Sequence, residues 1–393
     1  MEYIINLALI ALGFIMLSKG ADLFVDGASG IATKLKIPQI VIGLTIVAMG
    51  TSAPEAAVSI SSALKGSAEI TIGNVVGSNI MNILIILGLA AVITPLAVQR
   101  STKIVDIPVT LAISVLLLLL GLDGNITLLD GIILLVCFAA YMTYLFIMAK
   151  KNPEENADEE AEGGTSLKKS LIMVGIVAAF VIFLGFMGSI TLVEGAVVAA
   201  CFAVYTASLL IEHSKSNKEN TKNDSIVKSL IMTAIGLVVI IFGSNFAVDG
   251  ATALAKLIGI SDRIIGLTVI ALGTSLPELF TSVTAAMKKN ADIAIGNIVG
   301  SNIFNILMVV GLSAIIIPVP FAEAFRIDMI FAIAAVVILL VSCFLSKKVG
   351  RISGIVMLLG YAVYFVYLLS SGGNSAAEPE VTDTIAAIFG NIL

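Results

Sequence analysis

The sequence is poor in the residues on which most soluble enzymes and metal centres depend. It has one histidine, three cysteines and no tryptophan, and only 12% of its 393 residues are charged. Because Cys137, Cys201 and Cys343 all lie in apolar stretches, a disulfide framework or thiolate cluster is not expected. His213 lies at the end of an apolar stretch beside Lys215, which is typical of a solvated end residue. We expect no cofactor, and a net charge of -5 gives no indication of nucleic acid as a partner.

Apolar residues are abundant instead. They make up 59% of the chain, and the mean hydropathy is +1.10. Apolar stretches of about 18 to 25 residues recur along the sequence, and each is long enough to cross a hydrocarbon core of about 30 Å as a helix. A β-barrel would need alternation at every second residue, which is missing, and the N-terminal MEYIINL lacks the basic region of a cleavable signal. These patterns predict an all-α polytopic membrane protein.

The apolar stretches predict about twelve transmembrane helices. Their expected bounds are Ile4–Val25, Ile40–Leu64, Ile70–Thr94, Ile104–Leu122, Thr127–Met148, Ser170–Met187, Ile190–Ile211, Lys228–Val248, Ile264–Met287, Ile293–Ile317, Ile327–Leu345 and Ile352–Leu369. With these spans, most lysines and arginines fall on one side, and the other side receives only Lys65, Lys256, Arg263 and Arg326. The positive-inside rule then predicts a multi-pass protein of the cell (inner or plasma) membrane with both termini outside the cytoplasm.

One long segment occurs twice. VIGLTIVAMGTSAPE, which begins at Val41, matches IIGLTVIALGTSLPE, which begins at Ile264, and a displacement of 223 positions continues without a gap through GNVVGSN and GNIVGSN. Seven predicted spans separate the two starts, so the copies have opposite orientations, as in the inverted repeats of many secondary transporters. The expected organisation is a first repeat at 1–148, an acidic cytoplasmic linker at 149–169, an extra helical hairpin with a basic loop at 170–227, a second repeat at 228–370 and an extracytoplasmic tail at 371–393.

The central hairpin is itself a partial copy. ITLVEGAVVAACFAVY from Ile190 resembles ITLLDGIILLVCFAAY from Ile126. A hairpin adds two crossings and therefore preserves the inversion of the repeats. We expect it to be structural or an oligomer contact rather than part of an ion path.

Two glutamates interrupt the apolar spans at equivalent depths. Glu55 and Glu278 lie near the predicted centres of spans two and nine, where an acidic side chain costs about 2.5 to 3.5 kcal/mol and normally faces protein or water along an ion pathway. The preceding prolines, Pro54 and Pro277, lack an N–H and open the helix. Oxygen atoms for a cation are then expected from the carbonyls of Ala48–Thr51 and Ala271–Thr274 and from the hydroxyls of Thr51, Ser52, Thr274 and Ser275.

The spans that follow supply further polar groups. Ser78 and Asn82 are four residues apart and share a helix face, as do Ser301 and Asn305, and we expect all four to be ligands. The other asparagines of the two motifs are expected to bridge helices, and the glycines to allow close helix packing: Asn74, Asn79, Asn297, Asn302, Gly73, Gly77, Gly296 and Gly300.

A site of carboxylate, hydroxyl and amide oxygens suits Na⁺ or Ca²⁺ rather than a transition metal. Two carboxylates match one divalent ion or two or more monovalent ions. Without a cation the pair carries uncompensated charge, which cannot readily pass an apolar gate, so a return journey requires another cation or protons. The expected function is therefore antiport.

At these residues the chain resembles the calcium/cation antiporter superfamily, and within it the prokaryotic sodium/calcium exchangers, in which G-T-S-x-P-E and G-N-x-x-G-S-N-x-x-[ND]-I each occur twice. The resemblance implies a ten-helix fold and a four-site ion cluster. Glu55 and Glu278 would be shared ligands, joined by Thr51, Ser52, Ser78, Asn82, Thr274, Ser275, Ser301 and the carbonyls of Ala48 and Ala271. It also implies that the first span and its inverted counterpart, span eight, slide to alternate access. The chain departs from several relatives in having Asn305 where they have aspartate, and in its twelve expected spans.

Three other functions remain open from sequence. An H⁺/Ca²⁺ exchanger would load protons on the same two glutamates. A cation channel could use the same oxygen ligands but would conduct continuously down its gradient. An intramembrane protease could use paired carboxylates, although the surplus of hydroxyls and amides disfavours it. Sequence leaves the oligomeric state, the stoichiometry and the direction of transport undetermined.

Overall fold

The computed structural model describes residues 2–64, 66–150, 224–257, 271–346 and 348–372. The predicted sixth and seventh spans, the acidic linker from residue 151, the basic loop up to residue 223 and the tail from residue 373 lie outside these ranges.

The described residues form twelve longer helical elements, one short 3₁₀ helix at Gly121–Asp123 and four two-residue strands. Three of the helices contain a π-helical turn, and a fourth begins with one. The helices are α1 (Glu2–Leu35), α2 (Gln39–Thr51, with a π turn at Gly43–Val47), α3 (Ala53–Leu64), α4 (Glu69–Met81, a π turn at Asn82–Leu87, then Gly88–Ile93), α5 (a π turn at Thr102–Asp106, then Ile107–Leu120), α6 (Leu128–Lys150), α7 (Asp224–Leu257), α8 (Ala271–Thr274), α9 (Leu276–Met287), α10 (Ala291–Phe304, a π turn at Asn305–Val310, then Gly311–Ile316), α11 (Glu323–Ser346) and α12 (Arg351–Gly372). The strands are β1 (Leu96–Ala97), β2 (Asn125–Ile126), β3 (Val319–Pro320) and β4 (Lys348–Val349).

The elements repeat at the displacement found in the sequence. Adding 223 to the bounds of α3, of the π turn in α4, of β1 and of β2 gives the bounds of α9, of the π turn in α10, of β3 and of β4. The strands pair antiparallel across the repeats, β1 with β4 and β2 with β3, and the Leu96–Val349 pair becomes the Ile126–Val319 pair under the same shift. This reciprocal pairing relates the two halves by a pseudo-two-fold axis, which confirms the predicted inverted-repeat fold.

Eight of the described helices are long and apolar enough to cross a membrane, and the bent pair α2 and α3 makes a ninth span. The expected bounds of spans one and eight were too short, because α1 and α7 each extend over 34 residues. Such a helix is about 51 Å long at 1.5 Å per residue, well beyond a hydrocarbon core of about 30 Å. The prediction ended each span where apolar residues gave way to charges, but charged residues do not end a helix.

Glycines bring α1 and α7 into backbone contact along their length. Gly13 faces Gly243 and Gly20 faces Gly236, and a Cβ at any of the four would lie within 3.0 Å of backbone or side-chain atoms of the other helix. These glycines recur every seven residues, at 13, 20 and 27 in α1 and at 236, 243 and 250 in α7, so they line one face of each helix. Small residues of this kind let membrane helices pack through their backbones.

A second close contact joins α2 to α10. A Cβ on Gly300 would lie 2.7 Å from both the Leu44 carbonyl oxygen and the Ala48 Cβ, and one on Gly296 would lie 2.9 Å from the Gly43 Cα. The close packing predicted for Gly296 and Gly300 is therefore present. For their counterparts, Gly73 and Gly77, it stays a prediction, because the equivalent partner segment lies within the undescribed residues 258–270.

We expect Gly300→Ala to destabilise the protein by about 1–3 kcal/mol, the usual cost of overpacking, because α10 must move away from the backbone of α2. Gly360→Ala is the matched control. Gly360 also lies inside a helix, but its Cβ would approach no atom closer than 3.5 Å, so this variant should unfold at or slightly above the wild-type temperature. Thermal unfolding in detergent measures both. Equal unfolding temperatures for the two variants would contradict the close approach of α2 and α10.

Candidate functional site

Each repeat contains a broken helix, and the break falls at a serine. Ser52 separates α2 from α3 with φ -82° and ψ 8°, and Ser275 separates α8 from α9 with φ -89° and ψ 2°. The axes of α2 and α3 differ by 47°. The cause is the proline two residues later, which lacks the N–H needed to continue the helical hydrogen bonds. Each break thereby leaves a serine at the end of one helix and a glutamate in the first turn of the next.

The two glutamates lie across the repeats from each other's serine. The Ser52 hydroxyl donates to Glu278 Oε1 at 2.8 Å, and Ser275 Oγ lies 3.4 Å from Glu55 Oε1. Both carboxylates are in the first turn of their helices, where the helix dipole favours negative charge, and each glutamate is only 1% exposed. The crossed contacts bring Glu55 and Glu278 together at the two breaks, and their role as ion ligands stays a prediction.

Four oxygen atoms of the predicted ligands are buried and have no hydrogen-bond partner among the described residues. They form two equivalent pairs, Glu55 Oε2 with Glu278 Oε2 and Asn82 Oδ1 with Asn305 Oδ1. A buried acceptor without a partner costs about 1–3 kcal/mol, and a buried carboxylate costs more. The donor set therefore fits a cation held by hard oxygen ligands.

Asparagines attach α3 and α9 to the helices that follow them. Asn74 Nδ2 donates to the Glu55 carbonyl oxygen at 3.1 Å and to Ser59 Oγ at 3.0 Å. In the second repeat Asn297 Nδ2 lies 3.4 Å from the Glu278 carbonyl oxygen and 2.8 Å from Ser282 Oγ. The bridging role expected of these asparagines is present. Sequence reasoning missed Ser59 and Ser282, although each lies four residues after its glutamate, on the same helix face.

Three further predicted ligands, Thr51, Ser301 and Ser78, make contacts near the two breaks. Thr51 Oγ1 lies 2.9 Å from Asn297 Oδ1 and 3.3 Å from the Ala48 carbonyl oxygen, which Ser301 Oγ also approaches at 3.4 Å. In the other repeat, Ser78 Oγ lies 3.4 Å from Ser275 Oγ. These hydroxyls lie among the polar groups next to the two breaks, and their role as ligands stays a prediction.

Thr274 and Ala271 are the other two predicted ligands. Thr274 ends α8 and makes a hydrogen bond to the Glu55 carboxylate. Ala271 begins α8, directly after the undescribed residues 258–270, and its role stays a prediction.

The opened carbonyls differ from expectation at two positions. The Ala48 carbonyl keeps its helical bond, because the Ser52 N–H donates to it at 3.0 Å. The Gly273 carbonyl, which Pro277 frees, accepts a hydrogen bond from Ser244 Oγ on α7 at 2.7 Å. Sequence reasoning did not identify Ser244, since its role depends on the packing of a distant helix against the break.

Within the described residues, no cluster of three or more His, Cys, Asp or Glu could hold a metal, so the site consists of two carboxylates and neutral oxygens.

Known proteins are similar to this chain in sequence. A model of the Sodium/calcium exchanger protein family matches residues 5–147 and 228–370. The chain is 32% identical to the "Putative antiporter CaxA" of Alkalimonas amylolytica over 366 residues, which are 92% of this chain and 98% of that protein. It is 31% identical to the "Sodium/calcium exchanger MaX1" of Methanosarcina acetivorans over 381 residues, 93% of this chain and 98% of that protein.

The fold matches solved structures over nearly the whole chain. The structure of the sodium-calcium exchanger NCX_Mj soaked with 10 mM Na⁺ and zero Ca²⁺ superimposes with a TM-score of 0.71 and 28% identity, covering 93% of this chain and 99% of that one. The form soaked with zero Na⁺ and Ca²⁺ gives a TM-score of 0.69. The chain therefore belongs to the sodium/calcium exchanger protein family and is a multi-pass membrane transporter that carries cations by antiport, not an enzyme.

Proposed function

We propose that this protein is a secondary-active Na⁺/Ca²⁺ antiporter that binds its ions at the site built on Glu55 and Glu278. The observation that carries the proposal is the crossed placement of the two buried carboxylates, each beside the serine of the opposite repeat, with one oxygen of each lacking a partner in the described part of the chain. Oxygen-only ligands of this kind suit Na⁺ and Ca²⁺. The printed names of relatives such as the "Sodium/calcium exchanger MaX1" support the same pair of ions.

Charge compensation gives the reason for exchange. The two carboxylates together carry two negative charges, which one Ca²⁺ or two Na⁺ would balance. Moving the ionised pair through an apolar barrier without cations carries a large desolvation cost. The protein would therefore change its accessible side only with the site loaded, and the flux of one ion would depend on the other.

Alternating access is proposed to involve α1 and α7, which contact the site-bearing helices at identifiable points. Ser244 of α7 donates to the carbonyl beside the break in the second repeat. Lys288 is the residue directly after α9, and its Nζ donates to Asp26 Oδ1 of α1 at 2.7 Å. The glycine contacts hold α1 and α7 against each other along their length, which is consistent with the two helices moving together as a pair. We further propose that both termini face away from the cytoplasm, as the charge distribution predicts.

Ca²⁺ uptake into vesicles containing the purified protein tests the proposal. Vesicles are loaded with Na⁺, with K⁺, with choline, or with choline at acidic pH, and are then diluted into choline medium containing Ca²⁺. We expect rapid uptake only with Na⁺ inside, and we expect uptake to slow sharply when the outside Na⁺ equals the inside Na⁺, since only the Ca²⁺ gradient then drives exchange and outside Na⁺ competes for the site.

The other outcomes identify the alternatives. Uptake driven by internal acid without Na⁺ would establish H⁺/Ca²⁺ exchange in place of the proposal. Equal Ca²⁺ entry into all vesicles, including those with choline inside, would indicate a channel.

A further inference from the structure

Four asparagines form a hydrogen-bonded group, called here the asparagine ring, where α4 meets α10. Asn79 and Asn302 bond each other in a closed pair, and each of them also accepts a hydrogen bond from one further asparagine. Asn79 Nδ2 donates to the backbone carbonyl of Asn302, and Asn302 Nδ2 donates to that of Asn79, each at 3.2 Å. Asn82 Nδ2 donates to Asn302 Oδ1 at 2.9 Å, and Asn305 Nδ2 donates to Asn79 Oδ1 at 3.2 Å. All four residues are at most 4% exposed. The ring joins the two repeats on their pseudo-two-fold axis.

The ring determines which end of each amide faces which way. A backbone carbonyl can only accept, so the amide nitrogens of Asn79 and Asn302 must point toward the carbonyls they contact. Their oxygens then face the neighbouring asparagine, which must present its own nitrogen. Rotating the side-chain amide of Asn82 or Asn305 by half a turn would place its oxygen against the amide oxygen of Asn302 or Asn79, and this oxygen pair would be buried.

We infer that Asn79 and Asn302 are positioning residues that fix the oxygens of Asn82 and Asn305 toward the cation site. This inference rests on the proposed function, because it assigns the two unpartnered Oδ1 atoms to the transported ion. The pairing crosses the repeats: Asn302 orients Asn82, and Asn79 orients Asn305. Both oriented residues begin a π-helical turn, a distortion that is frequent at functional sites.

The ring also determines the kind of ligand that these positions provide. A free asparagine could turn either its oxygen or its nitrogen toward the site, and only the oxygen attracts a cation. With the nitrogen held, Asn82 and Asn305 offer neutral oxygen without rotating when an ion arrives. Less ordering is then required on binding, which increases affinity.

A double-mutant cycle on the full-length protein tests the inference, with the rise in unfolding temperature on adding CaCl₂ or NaCl as the binding measurement. We expect Asn302→Ala to raise the CaCl₂ concentration for half of that rise about tenfold, equivalent to about 1.4 kcal/mol. In an Asn82→Ala background the same substitution should have no further effect. In an Asn305→Ala background its effect should persist in full.

The symmetry of the chain supplies the matched control. Asn79→Ala should show the reverse pattern. It should not change the half-saturating CaCl₂ concentration further in an Asn305→Ala background, and it should keep its full effect in an Asn82→Ala background. Equal effects of Asn302→Ala in both backgrounds would overturn the positioning role. So would an Asn302→Ala protein that is less stable without ions but needs the same CaCl₂ concentration for half of the rise, because a packing role alone gives that result.

A failure of the proposed function gives a different result. Wild-type protein that neither salt stabilises, and that exchanges no Ca²⁺ for Na⁺ in vesicles, would refute the cation site and the ring's role together. Wild-type protein that is stabilised and exchanges normally, but lacks the crossed pattern, would refute only the ring's role.

Discussion

Glu278→Gln and Glu55→Gln are each expected to reduce Na⁺-dependent Ca²⁺ uptake at least a hundredfold while leaving the fold intact. Each substitution keeps the size of the side chain and removes one of two buried charges that face a shared site. A hundredfold loss corresponds to about 2.8 kcal/mol, within the range for losing a hydrogen-bonded or ion-paired buried charge. Uptake into Na⁺-loaded vesicles measures the loss.

Two further variants separate charge from packing. Glu323→Gln removes a glutamate whose side chain is 88% exposed at the start of α11, and it should leave uptake near the wild-type rate. Glu278→Asp keeps the charge but shortens the side chain, so it should retain part of the activity that Glu278→Gln loses. Near-normal exchange in Glu55→Gln or Glu278→Gln would remove that residue from the ion site.

Gly236→Val is expected to reduce exchange at least tenfold and to lower the unfolding temperature. A Cβ at this position would lie 2.5 Å from the Phe24 nitrogen and 2.9 Å from the Gly20 carbonyl oxygen, so α1 and α7 must separate. Overpacking of this kind usually costs about 1–3 kcal/mol, and here the opposing atoms are backbone, which cannot rotate away. Gly20→Val should act in the same way, because it enters the same contact from the other helix.

Ala234→Val is the control for this effect. It enlarges a residue on the same helix, two positions away, whose side chain is exposed rather than facing α1. Its exchange rate and unfolding temperature should match those of wild type. If Gly236→Val behaved like Ala234→Val, the close contact of α1 with α7 would have no role in transport or stability.

Much of the site could be predicted because the sequence contains it twice. A glutamate next to a proline inside an apolar span indicates a broken helix and a buried charge, and the second copy at a displacement of 223 indicates a partner. Serines and asparagines at helical spacing completed the donor set. The structure places Glu55 and Glu278 together and surrounds them with these groups.

Other features could not be read from the sequence. The π turns that begin at Asn82 and Asn305 have no sequence signal, because they depend on how each helix packs against its neighbours. The hydrogen bond from Ser244 to the Gly273 carbonyl joins residues 29 positions apart on different helices. The ends of α1 and α7 were also missed, since hydropathy reports where a helix is apolar and not where it ends.

The sequence by itself determined the membrane class, the duplication and the chemical identity of the candidate ligands, because composition, spacing and the missing N–H of proline act locally along the chain. Only the tertiary structure decided which repeat contributes to which half of the site. Ser52 of one repeat donates to Glu278 of the other, and Asn82 and Asn305 each donate to an asparagine of the opposite repeat. The physical reason is that these partners meet only when two oppositely oriented copies pack face to face, and close glycine contacts, which sequence cannot pair with one another, set that packing.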